Sequence, residues 1–171
     1  GEIVANLINA TKDNNATATA LKNSIALKKK AEVSAALPFT SDNKYSGVTF
    51  VTGSTYILGA AEFLNLKDKE KIIKQSEEYT SKGLRVLLLA KGDKAIKGKS
   101  YKDEVVAVGF VVLKDHVKES AVKTFAWFNE NGVEVKVISG DNALTVSEIA
   151  QEAGIKEAHK YISLEGMSID E

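Results

Sequence analysis

Between Val135 and Ile155 a β-branched run, VKVIS, gives way within four residues to a helical pattern, ALTVSEIAQEAGI. Ser139, Gly140, Asp141 and Asn142 stand at the junction. A strand that hands over to a helix so quickly is the repeating step of an α/β sheet with crossover helices. Sheets of that kind place their chemistry at the carboxyl ends of the strands. The helix start that follows offers backbone N–H groups and the positive end of a dipole to an anion. Ser139 adds a hydroxyl donor, and Gly140 allows close approach to the backbone. A purely local role is open as well. Asp141 or Asn142 can cap the helix, with Thr145 and Glu148 as a capping box.

The same rhythm begins upstream. Val105–Leu113 reads as a strand, 118–130 as a helix, 133–138 as a strand and 143–153 as a helix. The first hundred residues differ. Residues 13–29 read as a helix opened by Asp and Asn caps. Val33–Phe39 is a short extended run that includes the sole proline, Pro38. Ser46–Thr52 and Thr55–Ala60 form a hairpin about Gly53-Ser54. A helix over 67–81 stops near Gly83, Leu84–Ala90 is an apolar strand, and 91–103 is a Lys- and Gly-rich loop. The expected fold class is α/β: a mixed, mostly antiparallel domain over residues 1–105, then a partial parallel β-α-β-α segment over 106–171. Two strands and two helices leave a sheet edge that other strands should cover.

Composition narrows the chemistry. The absence of Cys excludes disulfides, thiolate metal sites and a cysteine nucleophile, and it fits a reducing compartment. His116 and His159 are the only histidines, and their contexts do not suggest a metal pair. No apolar run reaches the roughly 20 residues a helix needs to cross a bilayer. The net charge is zero, yet residues 1–105 carry 17 Lys/Arg against 12 Asp/Glu and residues 106–171 carry 6 against 11. A cationic lobe beside an acidic one suits a nucleotide polyanion, and scattered surface charge explains it equally. Arg85 is the only arginine among 23 basic residues, which marks a place for its planar, multi-donor fork or is chance.

Six segments, in order, resemble the cytoplasmic motifs of P-type cation-transporting ATPases. Ser139-Gly140-Asp141-Asn142 is similar to the family's S/T-G-D-N. Asp115 and Lys118 stand where the family has D-P-x-R, with His116 for the proline and lysine for the arginine. Phe39 and Lys44 lie in a segment like F-S-x-x-(R/K)-K. Leu58-Gly59-Ala60-Ala61-Glu62 resembles K-G-A-P-E, with Leu58 for the lysine and Ala61 for the proline. Gly83-Leu84-Arg85 matches G-x-R, and Asn15 to Leu21 matches the helix bearing E-x-T-E-x-A-L, with Asn15 at a carboxylate position. The family's D-K-T-G, which carries the phosphorylated aspartate, and its magnesium-binding G-D-G-x-N-D do not occur here.

The resemblance implies a nucleotide-binding domain followed by part of a haloacid-dehalogenase-like phosphorylation domain. In it, ATP would stack on Phe39, with Lys44 and Arg85 near the phosphates and Gly59 and Asn15 in the adenosine pocket. Judged by residue type alone, Phe39 fits a core ring and Lys44 a solvated charge as well. Ser139 and Gly140 would hold the transferred phosphoryl group, Asp141 would meet nucleotide or magnesium as the domains close, and Asp115 would be a further catalytic residue in the segment between the two cytoplasmic domains. The cofactors implied are ATP and Mg2+, with most magnesium ligands outside this chain and no metal site within it. The implied partners are the remaining phosphorylation, actuator and transmembrane domains of a pump, and no nucleic acid. Its place would be the cytoplasmic side of the cell membrane, and the isolated chain should not turn over ATP. A free-standing phosphatase of the haloacid-dehalogenase class needs D-x-D-x-T/V, which is absent. A non-catalytic nucleotide-binding module is the further alternative.

Overall fold

A computed structural model describes residues 1–114, 117–140 and 143–163. The chain divides into two compact units, 1–76 with 86–111 and 77–85 with 112–171. The fold is α/β, built on a five-stranded sheet with strands in sequence order.

The first unit opens with α1 (Glu2–Thr11) and α2 (Ala16–Ser24). Helix α1 lies ahead of the expected helical stretch, and α2 is shorter than the 13–29 anticipated. The cause is local. Lys12 takes a left-handed conformation (φ 56°) that ends α1, and Asn15 restarts the chain as a cap. Val4, Leu7, Ile8 and Thr11 recur at helical spacing and are buried. Asn6 is buried beside them and fully bonded. Its Nδ2 donates to Glu2 O (3.1 Å) and Lys29 O (3.0 Å), and its Oδ1 accepts from Ala31 N (2.8 Å). One amide thus fastens the lysine-rich stretch after α2 to α1.

Strands β1 (Val33–Leu37), β2 (Tyr45–Phe50), β3 (Thr55–Gly59) and β4 (Arg85–Gly92) pair antiparallel, and β5 (Val105–Leu113) follows β4 in the sheet. The β2–β3 hairpin turns at Gly53, whose φ of 89° suits glycine. Register and alternation sort the side chains onto two faces. Leu37, Tyr45, Ile57, Leu88 and Ala90 share one core with Ile96, Tyr101 and Val105, with Ile72 and Ile73 of α3 (Lys69–Thr80) packed against it. Val48, Phe50, Leu58 and Leu89 are buried on the opposite face, and α1 packs on β1, β2 and β3. Removing a fully enclosed side chain such as Leu7 or Ile57 would cost about 2–5 kcal/mol.

Loop 93–104 is no loose connection. Tyr45 Oη donates to Tyr101 O (3.0 Å) and accepts from Tyr101 N (2.9 Å). Tyr101 Oη donates to Lys94 O (3.0 Å), and Thr49 Oγ1 accepts from Ile96 N (2.9 Å). Three buried hydroxyls therefore satisfy the loop's backbone where water cannot.

The second unit holds α4 (Glu119–Glu130) and α5 (Ala143–Glu152). Asn129 Nδ2 reaches Gly154 O (2.9 Å), and Ser147 Oγ reaches Ala158 O (2.8 Å). The expected parallel segment is not confirmed among the described residues. Residues 133–138 form no strand, and Ile138 is 97% exposed. A run becomes a strand only by pairing, and among the described residues nothing pairs with this one. Among the described residues a parallel contact is an isolated bridge, Leu66 with Val105. No residue of α4 is buried, and Trp127 stays 57% exposed.

Candidate functional site

The connection between β1 and β2 carries Phe39 and Lys44. Lys44 N donates to Thr40 O (2.9 Å) and Asn43 N to Thr40 Oγ1 (3.1 Å), closing a short turn. Lys44 leaves it at φ 59°, a left-handed value that costs an L-residue about 1–2 kcal/mol. That kink delivers the chain into β2 with the Lys44 side chain exposed. Phe39 is anchored separately, its N–H donating to Asp13 Oδ1 (3.0 Å). The other oxygen of Asp13 accepts from Thr11 Oγ1 (2.9 Å). Its ring is 40% exposed where Tyr45 is 5% exposed, so Phe39 is not a core aromatic.

Gly59 meets this turn from the end of β3. It pairs with Tyr45, and Ala60 N donates to Lys44 O (3.1 Å). A Cβ on Gly59 would lie 2.5 Å from Lys44 O. Leu58 beside it is buried among apolar neighbours, where an ammonium would lose its hydration. Asn15 joins through the α1–α2 connection. Its Oδ1 accepts from Ala18 N (2.8 Å), so it serves as the amino-terminal cap of α2. Asn15, Phe39, Lys44 and Gly59 thus belong to one unit, tied by Asp13 and by the Lys44–Ala60 bond.

The remaining expected residues belong to the second unit or lie outside the described residues. Arg85 opens β4, is exposed, and falls in the second unit. Ser139 and Gly140 follow residues 133–138 and are exposed. A Cβ on Gly140 would meet nothing within 4 Å. Lys118 precedes α4 without a side-chain cap. Asp115 and Asp141 lie outside the described residues.

Sequence reasoning missed Asp13 as a clamp, although it was readable as a cap candidate. It also missed the tie from Asn43 Nδ2 to Lys99 O (2.8 Å), which spans 56 residues and leaves no local signal. That tie sets the lysine-rich loop beside the Phe39–Lys44 turn. Within the loop a cleft of about 350 Å³ is lined by Lys94, Lys97, Ser100, Tyr101, Lys102 and Asp103. Lys94 Nζ bonds Asp103 (2.5 Å), which raises the lysine's pKa, but both groups are exposed and the pair contributes little to stability. Burial raises the pKa of Tyr101, against a smaller lowering by its backbone bond at Lys94. Among the described residues no group of three His, Cys, Asp or Glu could hold a metal ion. Nor is any helix among them long and apolar enough to cross a membrane.

No family model matches the chain. Individual proteins do. Over 123 residues, 72% of the chain, it is 39% identical to the calcium-transporting ATPase CtpE of Mycobacterium tuberculosis. Over 163 residues, 94% of the chain, it is 32% identical to the "Probable cation-transporting ATPase exp7" of Streptococcus pneumoniae. Over 124 residues it is 31% identical to the potassium-transporting ATPase ATP-binding subunit 1 of Staphylococcus aureus. These matches take up 15%, 20% and 18% of the relatives' own lengths, so the chain corresponds to a small part of each. Its homologues are P-type cation-transporting ATPases, and the chain is homologous to a part of such a pump.

Proposed function

We propose that this chain is the cytoplasmic ATP-binding part of a cation pump that hydrolyses ATP through an aspartyl-phosphate. The phosphorylated aspartate belongs to the pump outside these residues. The observation that carries the proposal is the turn of the first unit. It holds an exposed aromatic ring, Phe39, and an exposed ammonium, Lys44, five residues apart on a backbone fixed by Asp13, Thr40 and Ala60. A flat ring accepts a purine face, and an ammonium a short reach away accepts phosphate charge. One relative is itself named an ATP-binding subunit.

The chemistry assigned to these residues is positioning. Phe39 would hold the base and Lys44 would offset phosphate charge. Ser139 and Gly140 would steady the transferred group in the assembled pump, where Gly140 leaves open space for it. Phosphoryl transfer depends mainly on such placement and charge stabilisation. Arg85 would add a forked donor towards the phosphates, Asp115 and Asp141 would act at the phosphoryl group, and Asn15 and Gly59 would shape the adenosine pocket. Magnesium would be held mostly by ligands outside this chain, and among the described residues no group of three His, Cys, Asp or Glu could hold it, so no step here runs through the ion.

An amide-resolved NMR titration with ATP tests the reading. Amides around Phe39, Lys44 and Gly59 should shift together and saturate at about millimolar ligand. Phe39→Ala should abolish the saturation while leaving the other amides in place. ATP that moves no amide in this turn would overturn the proposal. Sustained, contaminant-free phosphate release by the isolated chain would refute its description as a part without its nucleophile.

A further inference from the structure

The lysine-rich loop is absorbed by nothing above. Its backbone is pinned at Lys94, Ile96 and Tyr101 by the hydroxyls of Tyr101, Thr49 and Tyr45. Gly98, at φ 85°, makes a turn between Lys97 and Lys99. Asn43, the residue before Lys44, holds the carbonyl of Lys99 by a 2.8 Å hydrogen bond. Two segments far apart in sequence therefore present Lys44 on one side and Lys97 and Lys99 on the other. All three are exposed, and among the described residues none is in an ion pair. Lys94 differs, being paired with Asp103. Asp42 in the turn and Asp93 and Asp103 in the loop are the carboxylates nearest in sequence; with Asp103 paired to Lys94, three lysines against two aspartates leave a net positive cluster.

Exposed ammonium groups carried on segments tied to one another repel as they approach, and an anion relieves that repulsion. The spread of three ammonium groups over a turn and a loop suits an extended anion better than a single phosphate. We propose that Lys44, Lys97 and Lys99 form a polyphosphate-binding cluster, with Asn43 as the positioning residue that sets Lys99 beside Lys44. The proposal rests on the ATP reading for what the polyphosphate is attached to, but not for the anion itself.

The test uses the 171-residue chain with three probes: inorganic tripolyphosphate, ATP and AMP. Tripolyphosphate should shift the amides of Asn43, Lys44 and 97–100, with an affinity that falls as salt rises. Lys97→Gln with Lys99→Gln should weaken ATP and tripolyphosphate by about fivefold and leave AMP unchanged. Asn43→Ala should weaken both polyphosphates with all three lysines still present, whereas a merely structural role would leave those affinities unmoved. If ATP engages Phe39 while the loop amides stay still and the double variant binds normally, the cluster is refuted and the ATP reading stands. If tripolyphosphate binds the loop while ATP never reaches Phe39, the cluster stands and the ATP reading falls. An undiminished affinity at high salt also overturns the proposal.

Discussion

Gly59→Ala is the substitution in which fold and site are least separable. The added Cβ would stand 2.3 Å from Tyr45 Cβ, 2.5 Å from Tyr45 Cα and 2.5 Å from Lys44 O. Ordinary contacts need about 3.4 Å or more, so β2 and β3 must part by about 1 Å at this end. None of these neighbours is the tip of a flexible side chain that could swing aside. Overpacking of this kind costs about 1–3 kcal/mol, and here the upper half of that range is expected because the backbone itself must move. At about 4–8 °C per kcal/mol for a unit of this size, melting of the first unit should fall by roughly 8–24 °C. Urea unfolding followed by amide exchange is the suitable assay, because two units need not unfold together. The amide of Ala60, bonded to Lys44 O, should lose protection first. Gly109→Ala in β5 is the control, since a Cβ there meets nothing within 4 Å and should change stability by less than about 0.5 kcal/mol. If Gly59→Ala unfolds at the wild-type urea midpoint with Ala60 still protected, the close approach of the two strands is wrong. The explanation of this glycine by packing would go with it.

Asn6→Ala removes the donor to Lys29 O and the acceptor of Ala31 N, leaving the part-buried ends of both bonds unpaired. A loss of about 1–3 kcal/mol is expected, with faster exchange confined to α1 and residues 25–32. Asn15→Ala should cost about 1 kcal/mol and fray the start of α2, whereas Asn15→Asp should keep the cap, as read from the Ala18 amide. Burial raises the folded-state pKa of Tyr101, so its stabilising effect is complete below the ordinary tyrosine pKa of about 10 and is lost as pH climbs through the raised value. Melting at pH 9 and pH 11 should therefore differ more in the wild type than in Tyr101→Phe. Equal differences would mean the phenol does not sense its burial.

Much of the first unit was legible because its signals are local. Gly53-Ser54 between two β-rich runs marks a hairpin, and Gly83 at φ 69° ends the stretch after α3 as its sequence suggests. Helix α1 was not anticipated, and its start carries no side-chain cap to announce it. The strand expected over 133–138 failed for another reason. Its alternation is real, but a strand needs a partner, and local pattern cannot supply one. The site divides along the same line. Phe39 and Lys44 were legible as a short segment, whereas Asp13 under Phe39 and Asn43 against Lys99 depend on contacts across 26 and 56 residues.

The glycines show what such a motif can and cannot establish. Gly59 sits in a segment resembling a nucleotide-binding motif, yet Tyr45 and the Lys44 carbonyl demand a glycine there with no ligand present. Its presence therefore says nothing about binding by itself. Gly140 is the opposite case. Its φ lies outside the left-handed range that favours glycine, and no atom among the described residues comes near the place of its missing Cβ. Packing within these residues gives no reason for a glycine at 140, just as it gives none for Gly109 in β5. Phe39 stands with Gly140 on this test. Leaving an aromatic ring 40% exposed forfeits burial that an aromatic residue would ordinarily gain, and the turn that holds it out is stabilised by bonds to its backbone, not to its ring. Residues that the fold does not need in their observed form are where a ligand should be sought first.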